Sequence, residues 1–272
     1  MKENLKKISN SIRMNIIKSV SAAKSGHPGG SLSIADILTV LYFEKMNIDP
    51  KNPKDPNRDR FVLSKGHSAP ALYCTLAERG YFPKEELLGL RKYESNLQGH
   101  PDMKKVIGVD MSTGSLGQGL SAANGMALAG KLDESSYRVY AILGDGEAQE
   151  GQIWEAAMSA AHYKLDNLTA FLDLNGLQID GSNEEIMSIS PIDEKFKSFG
   201  WNVVTIDGHC FEDISKAIDD ANATKGKPTI IICKTIKGKG VSFMENNVNW
   251  HGSAPNKEET EKALAELEGG EK

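Results

Sequence analysis

An aspartate flanked by glycines follows a short apolar run, in the stretch VYAILGDGEAQEG at residues 139–151. Glycine weakens a strand interior, so the pattern has two interpretations. It is either a surface turn or a site where the small glycines leave room for Asp145 to bind a ligand. A second apolar run ends at Asn175, in AFLDLNGLQIDG. The segment between Gly146 and Asn175 is long enough for a helix and a strand. This predicts two adjacent parallel strands with Asp145 and Asn175 at one edge of the sheet.

The side chains of Asp145 and Asn175 offer the oxygen ligands that Mg²⁺ and Ca²⁺ prefer, and Mg²⁺ typically completes its octahedron with phosphates and water. Helices predicted after Gly146 and after the glycine turn Gly114–Gly119 direct their N-termini to this place, which favours anions. A diphosphate held through a divalent cation is one interpretation, and a plain turn is the other. The sequence contains neither GxxxxGKS/T nor GxGxxG, so no nucleotide loop is indicated.

Four of the six histidines lie in loops beside glycine or proline, namely His27, His67, His100 and His251. Core packing does not explain histidines in such loops. A cluster of imidazoles suits a site that binds hydroxyl groups and moves protons near neutral pH. His162, on a predicted helix, and His209, in the stretch DGHCF, are instead expected to be structural.

Five apolar runs predict strands, and the segments between them have the spacing of amphipathic helices. The runs are RFVLSKGH, RVYAIL, NLTAFLDLN, GWNVVTIDG and KPTIIICKTI. Apolar strands that alternate with helices are typical of a mostly parallel sheet covered on both faces, so we predict an α/β three-layer sandwich. Residues 1–256 are predicted to form one domain, and residues 257–272 a charged tail with a short, frayed helix.

Local features between these elements also carry predictions. Ser33 followed by Asp36 predicts a capping pair at the start of a helix. Residues 93–111 show no periodicity, and so long an irregular stretch in a compact domain is more often functional than idle. The turn IKGKG at residues 236–240 is interpreted as a solvated basic turn rather than a phosphate-contacting loop. Cys233 is expected to be a buried small hydrophobic residue.

Composition excludes several classes of protein. The chain has 272 residues and a formal net charge of −5, which gives no reason to expect binding to nucleic acid or acidic membranes. No run approaches the roughly 20 apolar residues that span a bilayer, and the N-terminus lacks the apolar core of a signal peptide. Three widely spaced cysteines indicate neither a disulfide framework nor a thiolate zinc site. These features predict a cytoplasmic protein.

Five motifs, in order along the chain, resemble the transketolase family. They are AKSGHPGGSLS (23–33), LSKGHSAPALY (63–73), QGHPD (98–102), TGSLGQGLS (113–121) and GDGEAQEGQIWEA (144–156). The resemblance extends to about Gly252 and implies the thiamin diphosphate-binding fold. It also implies transfer of a two-carbon ketol unit from a ketose to an aldose, as in pentose phosphate metabolism. The implied cofactors are thiamin diphosphate and Mg²⁺, with Ca²⁺ or Mn²⁺ as alternative metals.

The resemblance assigns the metal and sugar contacts. Asp145, Asn175 and the main-chain carbonyl of Leu177 would bind the metal. The four loop histidines would form the donor-sugar pocket, in which His100 contacts the carbonyl region of the ketose. The others, His27, His67 and His251, would hydrogen-bond the sugar hydroxyls and assist proton transfer.

The resemblance also implies which residues contact the cofactor. These are His67, Gly114, Leu116, Gly144, Asp145, Gly146, Glu150, Asn175, Ile179 and Ile236. Ile179 and Ile236 would line the thiazolium ring. Glu150 would lie where two cofactor sites communicate across a dimer interface.

Part of the family's cofactor site has no counterpart in this sequence. In the family, a glutamate that hydrogen-bonds the aminopyrimidine ring and an apolar residue that bends the cofactor lie in a second domain. The sequence is therefore interpreted as the N-terminal subunit of a split transketolase, whose partner chain carries the remaining domains in a heterotetramer. Its substrates would be sugars, phosphorylated or carrying another anionic group such as sulfonate.

Two alternatives remain. One is the corresponding subunit of another thiamin enzyme, such as a 2-oxoacid dehydrogenase α chain or a deoxyxylulose-phosphate synthase fragment. The motifs SGHPG and SKGH argue against it. The other is a non-catalytic paralogue that binds the cofactor, which the pairing of Asp145 with Asn175 and the four loop histidines disfavour.

Overall fold

The computed structural model describes residues 2–269. One five-stranded sheet runs through it, with strand order β1-β2-β3-β5-β4 and every neighbouring pair parallel. The strands are β1 (Arg60–Leu63), β2 (Val139–Gly144), β3 (Leu168–Leu174), β4 (Asn202–Asp207) and β5 (Thr229–Lys234). The sheet agrees with the sequence prediction in strand number, location and direction.

Helices connect the strands and cover both faces of the sheet. They are α1 (Lys2–Ala23), α2 (Pro28–Leu32), α3 (Ala35–Val40), α4 (Ala69–Arg79), α5 (Gln118–Leu132), α6 (Gly151–His162), α7 (Asn183–Ile186), α8 (Ile192–Ser198), α9 (Phe211–Ala223) and α10 (Lys257–Gly269). A π-helical turn, Leu41–Lys45, follows α3, and 3₁₀ turns lie at Gly66–Ser68, Lys84–Gly89, Gly146–Gln149 and Val248–Trp250. Within residues 2–269 no helix is both long and apolar enough to cross a bilayer.

Two apolar cores lie on opposite faces of the sheet. Phe171 of β3 packs into the core that α1, α3, α4 and α9 share, and the next residue, Leu172, packs into the core formed with α5, α6 and α8. Successive side chains of a strand point to opposite faces, so a strand buried on both sides must be apolar throughout. This explains why the central strands β2, β3 and β5 appear in the sequence as mainly apolar runs.

The carboxyl ends of all five strands lie at one edge of the sheet, because every neighbouring pair is parallel. Gly144 pairs with Asp173 in the register of β2 and β3, so the loops after these strands start side by side. Residues 93–111 contain no helix or strand and run across the same edge. Tyr73 of α4 fixes this irregular stretch, because its hydroxyl donates to the carbonyl of His100 at 2.9 Å.

The predicted capping pair of Ser33 and Asp36 is wrong. Helix α3 begins at Ala35 with no side-chain cap. The Ser33 hydroxyl lies 2.7 Å from a carboxylate oxygen of Asp173, and Asp36 forms an ion pair with Arg13 of α1 at 2.7 Å. Tertiary partners far away in the sequence have therefore replaced the local contact.

The described part of the segment predicted as a charged tail forms helix α10, which packs on α1. Ala263 and Leu267 are buried, and the side-chain amide of Asn10 donates to the carbonyl of Leu267 at 2.8 Å. Residues 270–272 of that segment lie outside the described residues.

Candidate active site

A cavity of about 390 Å³ opens at the carboxyl edge of the sheet. Among the described residues, every predicted site residue except Ile236 lines it. The predicted residues that line it are His27, His67, His100, Gly114, Leu116, Gly144, Asp145, Gly146, Glu150, Asn175, Leu177, Ile179 and His251. Ile236 directly precedes Lys237, whose side chain does line the cavity.

Asp145 is buried at the end of β2, with a side chain tied to both neighbouring loops. Its Oδ1 accepts a hydrogen bond from the backbone N–H of Gly146 at 2.8 Å, and its Oδ2 accepts one from Gly176 at 2.7 Å. Burial, and next the nearby Asp173 carboxylate, raise the pKa of Asp145. A nearby cation would favour the charged carboxylate in this setting.

The amide of Asn175 is held from two sides. Its Nδ2 donates to Oδ2 of Asp173 at 3.1 Å, and its Oδ1 accepts from the backbone N–H of Leu177 at 3.1 Å. Since an amide nitrogen can only donate and a carboxylate can only accept, the Asp173 contact fixes which end of the amide is the oxygen.

Asp173 lies at the centre of a buried polar cluster. It is fully buried and accepts hydrogen bonds from Lys65 at 2.6 Å, from Ser33 at 2.7 Å and from the hydroxyl of Thr235. Burial opposes its charge, but Lys65 and the hydroxyl donors outweigh it and hold the pKa of Asp173 below its usual range. The cluster therefore joins the ends of β1, β3 and β5 beneath the cavity. Both carboxylate oxygens of Asp173 accept hydrogen bonds in it.

Lys237 corrects the interpretation of residues 236–240 as a solvated turn. Its side chain is 2% exposed, lines the cavity and donates from Nζ to the carbonyl oxygen of Leu177 at 3.1 Å. The turn folds inward because the backbone N–H of Gly238 donates to the carbonyl of Gly29 at 3.0 Å. Burial, and next the Lys65 ammonium, lower the pKa of Lys237 to about 8.

Glu147 binds the loops that surround the cavity to one another. One carboxylate oxygen accepts from the Ser64 hydroxyl and from the backbone N–H of Gly117 at 2.9 Å, and the other accepts from Gly144 at 3.0 Å. Burial raises the pKa of Glu147. The ends of β1 and β2 and the start of α5 are thereby fixed by one side chain.

Three of the loop histidines form a compact group. The ring centroids lie 5.2 Å apart for His27 and His67, 5.5 Å for His27 and His251, and 5.3 Å for His67 and His251. His100 is more exposed, and its ring lies so close to Gly114 that a Cβ there would come within 3.0 Å of it.

All four imidazoles are biased toward the neutral form. Burial, and next the charge of Arg91, lower the pKa of His27 to about 4. Burial, and next Lys237, lower the pKa of His251 to about 3. Burial lowers the pKa of His67 well below its usual value, and that of His100 is lowered as well. At neutral pH these rings can accept hydrogen bonds as well as donate them.

Contacts outside the cavity set the orientation of the His27 ring. The Arg91 guanidinium faces Nδ1 of His27 at 3.5 Å, so the neutral ring carries its proton on Nε2. Arg91 itself is anchored on the Ser25 hydroxyl at 2.9 Å. Nε2 of His27 is thus left as a donor.

The cavity walls fit a polar, anionic occupant. Of the residues that line the cavity within residues 2–269, His251 has a buried Nδ1 without a hydrogen-bond partner, and Lys65 and Lys237 supply two positive charges. No group of three His, Cys, Asp or Glu side chains in this part of the chain could hold a metal. A metal at Asp145 and Asn175 would therefore need carbonyl and phosphate oxygens as further ligands, as Mg²⁺ characteristically takes.

A family model described as the thiamine diphosphate binding domain of transketolase matches residues 4–269. The chain belongs to the transketolase family. It is 50% identical over 259 residues to the 6-deoxy-6-sulfo-D-fructose transketolase subunit SqwG of Clostridium sp. (strain MSTE9), covering 95% of this chain and 94% of that subunit. It is 44% identical over 265 residues to an apulose-4-phosphate transketolase subunit of Phocaeicola vulgatus, covering 97% of this chain and 94% of that subunit.

A solved transketolase has the same fold. The transketolase from Leishmania mexicana matches with a TM-score of 0.92 and 32% identity, covering 97% of this chain and 41% of that chain. The predicted α/β fold and the predicted transketolase-family transferase are confirmed. The chain corresponds to the N-terminal, thiamin diphosphate-binding domain of the family.

Sequence reasoning missed some residues of the transketolase cavity. Lys65, Glu147 and Lys237 all line it, although none was predicted. Lys65 lies inside the motif SKGH and Glu147 directly follows the Gly-Asp-Gly stretch, so proximity to a motif was the available signal. For Lys237 the only signal was its place next to a glycine, shortly after a predicted strand.

The residues expected to be structural lie outside the cavity. His162 is exposed at the end of α6, with its ring against Tyr163. His209 contacts Asp36 and the backbone N–H of Ile236 and does not line the cavity. Cys233 is fully buried in β5.

Proposed function

We propose that this chain is the cofactor-binding subunit of a two-chain transketolase, which moves a two-carbon ketol unit from a ketose to an aldose. The observation that carries the proposal is a cavity whose walls combine carboxylate and amide oxygens, two ammonium groups and four neutral imidazoles. Few reactions need a site for a metal-bound diphosphate and a site for sugar hydroxyls side by side.

Asp145, Asn175 and the carbonyl of Leu177 would hold Mg²⁺, with Ca²⁺ or Mn²⁺ as alternatives. The ammonium of Lys237, which already contacts the Leu177 carbonyl, would face the diphosphate. The remainder of the cofactor would be contacted by His67, Gly114, Leu116, Gly144, Gly146, Glu150, Ile179 and Ile236, of which Ile236 alone does not line the cavity. Thiamin diphosphate, when bound, supplies the carbon nucleophile that carries the two-carbon unit.

The histidines would bind and orient the ketose. Nε2 of His27 carries a proton that it can donate to a sugar oxygen, because Arg91 faces Nδ1. His67 and His251 present neutral rings whose centroids lie 5.3 Å apart, which suits hydrogen bonding to adjacent hydroxyls. His100, at the rim, would contact the carbonyl region and move a proton there.

A second chain would complete the site. The two subunit relatives are matched over 94% of their own length, and both are named as subunits of a transketolase. Apolar side chains are exposed in the segment after β3, which includes α7: Ile179 is 66% exposed, Ile186 47% and Met187 60%. Ile179 also lines the cavity, so a partner that covers this surface would close the site. We propose a heterotetramer with two sites at the chain interfaces.

The donor sugar would carry an anionic group. One subunit relative is named for a sulfonated sugar and the other for a phosphorylated one. The assay therefore offers both a phosphorylated and a sulfonated donor.

The experiment measures ketol transfer by this chain, by the polypeptide that co-purifies with it, and by both together, each with Mg²⁺ and thiamin diphosphate. A phosphorylated and a sulfonated ketose are offered as donors, and mass is measured by light scattering. Activity only in the mixture, with a heterotetramer mass, supports the proposal. Full turnover by this chain alone would refute the two-chain assignment. A complex that binds the cofactor but transfers nothing from either donor would favour a non-catalytic paralogue.

A further inference from the structure

Loop 235–240, which follows β5, brings Lys237 into the cavity, and its glycines give the backbone more than one accessible conformation. Gly238 and Gly240 adopt φ angles of 80° and 95°, in the left-handed region that glycine enters freely. A chain with two such residues needs outside contacts to keep one conformation. Two of those contacts come from side chains that lie away from the cavity.

His209 makes the first contact. Its Nε2 accepts a hydrogen bond from the backbone N–H of Ile236 at 2.9 Å, and its Nδ1 lies 2.8 Å from Oδ2 of Asp36. A backbone N–H can only donate, so Nε2 is unprotonated and Nδ1 carries the proton that Asp36 accepts. The two partners together fix the orientation and the tautomer of the ring.

Arg13 makes the second contact. Its Nε donates to the carbonyl of Lys239 at 3.1 Å, and its two other nitrogens bind the two oxygens of Asp36 at 2.9 and 2.7 Å. Ser9 completes the arrangement with a 2.5 Å hydrogen bond to the same carboxylate. The side chains of Arg13, Asp36 and His209 are 9%, 6% and 12% exposed.

The carboxylate of Asp36 thus orients both side chains that contact the loop, Arg13 and His209. Burial opposes its charge, but Arg13, His209 and Ser9 outweigh it and hold the pKa of Asp36 far below its usual range. The approach of His209 also depends on Gly208, where a Cβ would come within 2.5 Å of Thr235. None of the three side chains, Arg13, Asp36 and His209, lines the cavity.

We propose that His209 is a positioning residue of the cofactor site, which, together with Arg13, fixes loop 235–240 so that the Lys237 ammonium faces the diphosphate position. The part of this inference that concerns the diphosphate rests on the proposed function. The part that concerns the loop does not. His209 would act through Ile236 and Lys237, because it does not itself line the cavity.

Two substitutions separate the two nitrogen contacts of His209. In His209→Gln, the amide oxygen can occupy the place of Nε2 and still accept from Ile236. In His209→Asn, the shorter amide can keep only the contact to Asp36. His209→Ala removes both, and His162→Ala is the matched control, because His162 is an exposed histidine away from the loop.

The experiment uses the full chain and two readouts. Backbone amide exchange at Ile236 is measured without cofactor, and binding of thiamin diphosphate in saturating Mg²⁺ is measured by calorimetry on the chain assembled with its partner. We expect the Ala and Asn variants to exchange at least about 10-fold faster and to bind about 10-fold more weakly, the lower range for partners that orient a ligand-binding group. The Gln variant should stay near wild type in both readouts.

Other results would overturn the proposal. An unchanged exchange rate at Ile236 in His209→Ala would do so, as would acceleration spread evenly over the sheet, which indicates general destabilisation. If His209→Asn kept both readouts near wild type and His209→Gln did not, Asp36 would be the only functional partner of His209. If the wild-type enzyme assembled with its partner chain binds no thiamin diphosphate, the proposed function fails, and the exchange measurement alone decides the role of His209 in the loop.

Discussion

Oδ2 of Asp145 lies 2.7 Å from the backbone nitrogen of Gly176, so the carboxylate at the end of β2 is tied to the turn that carries Asn175. We expect Asp145→Ala and Asn175→Ala each to weaken thiamin diphosphate binding by at least about 10-fold, the lower range for perturbing a metal site. Calorimetry at saturating Mg²⁺ on the assembled enzyme is the measurement. Unchanged affinity in both variants would remove the metal assignment.

His100 should matter for the sugar and little for the cofactor. It lies at the rim of the cavity against Gly114. His100→Ala is expected to lower kcat/KM for the ketose by about 10²-fold or more, as for loss of a positioned proton-transfer group. The assay uses both chains, and His162→Ala serves as the control. An equal loss in the control would mean that the substitution acts through folding.

The buried histidines should make the protein less stable in acid. Unfolded, His27 and His251 take up protons near pH 6.5, but in the folded protein their pKa values are about 4 and 3. Between these values the unfolded state binds more protons, so the free energy of unfolding falls as pH drops from about 6.5 toward 4. Urea unfolding at pH 7 and pH 5 measures this loss.

The glutamine variants of these two histidines test the assignment. His27→Gln and His251→Gln should each lose less stability between pH 7 and pH 5 than the wild type does, because glutamine does not titrate. His162→Gln, at an exposed position, should lose as much as the wild type. If both variants lost as much stability between pH 7 and pH 5 as the wild type does, the lowered pKa values of the two imidazoles would be contradicted.

We expect the affinity for thiamin diphosphate to depend on pH through Lys237, in the opposite direction to the stability. Its pKa is about 8 in the cofactor-free protein, and an anionic diphosphate favours the charged ammonium. Affinity for thiamin diphosphate should therefore fall as pH rises from 7 to 9, because binding must take up a proton. Lys237→Met should bind more weakly at pH 7 and lose this slope, whereas Lys239→Met should keep it. Calorimetry in two buffers of different ionisation enthalpy would count the protons.

Glu147 should contribute to stability rather than to chemistry. Its carboxylate accepts from Gly117, Gly144 and Ser64. In Glu147→Gln the amide group would face a backbone N–H in at least one of these contacts, which leaves a buried donor unpaired. We expect the free energy of unfolding to fall by about 1–3 kcal/mol. Urea unfolding measures it, and an unchanged midpoint would show that the loops are held by other contacts.

The sequence predicted those parts of the site whose signal is local. Asp145 and Asn175 end apolar runs and are separated by one helix and one strand, which in a parallel sheet implies that they meet. The four loop histidines were recognisable because glycine or proline surrounds them. In each case the residue and its structural reason lie within a few positions of one another.

The missed features depend on contacts between distant segments. Lys237 is buried because Gly29 of α2 accepts a hydrogen bond from Gly238. Asp36 appeared to cap a helix with Ser33, but its partners come from α1 and from the loop after β4. No pattern of neighbouring residues encodes such pairings, since the fold alone brings them together.

The residues around the cavity come from widely separated parts of the sequence, which affects when the cavity forms during folding. His27 and His251 come from opposite ends of the described chain, yet their rings lie 5.5 Å apart, and Lys65, Asp145 and Asn175 arrive between them from three different strands. Contacts of such large sequence separation form late and slowly, because loop closure must precede them. No short fragment of this chain can assemble the cavity. The chain can therefore bind the cofactor only after nearly all of it has folded.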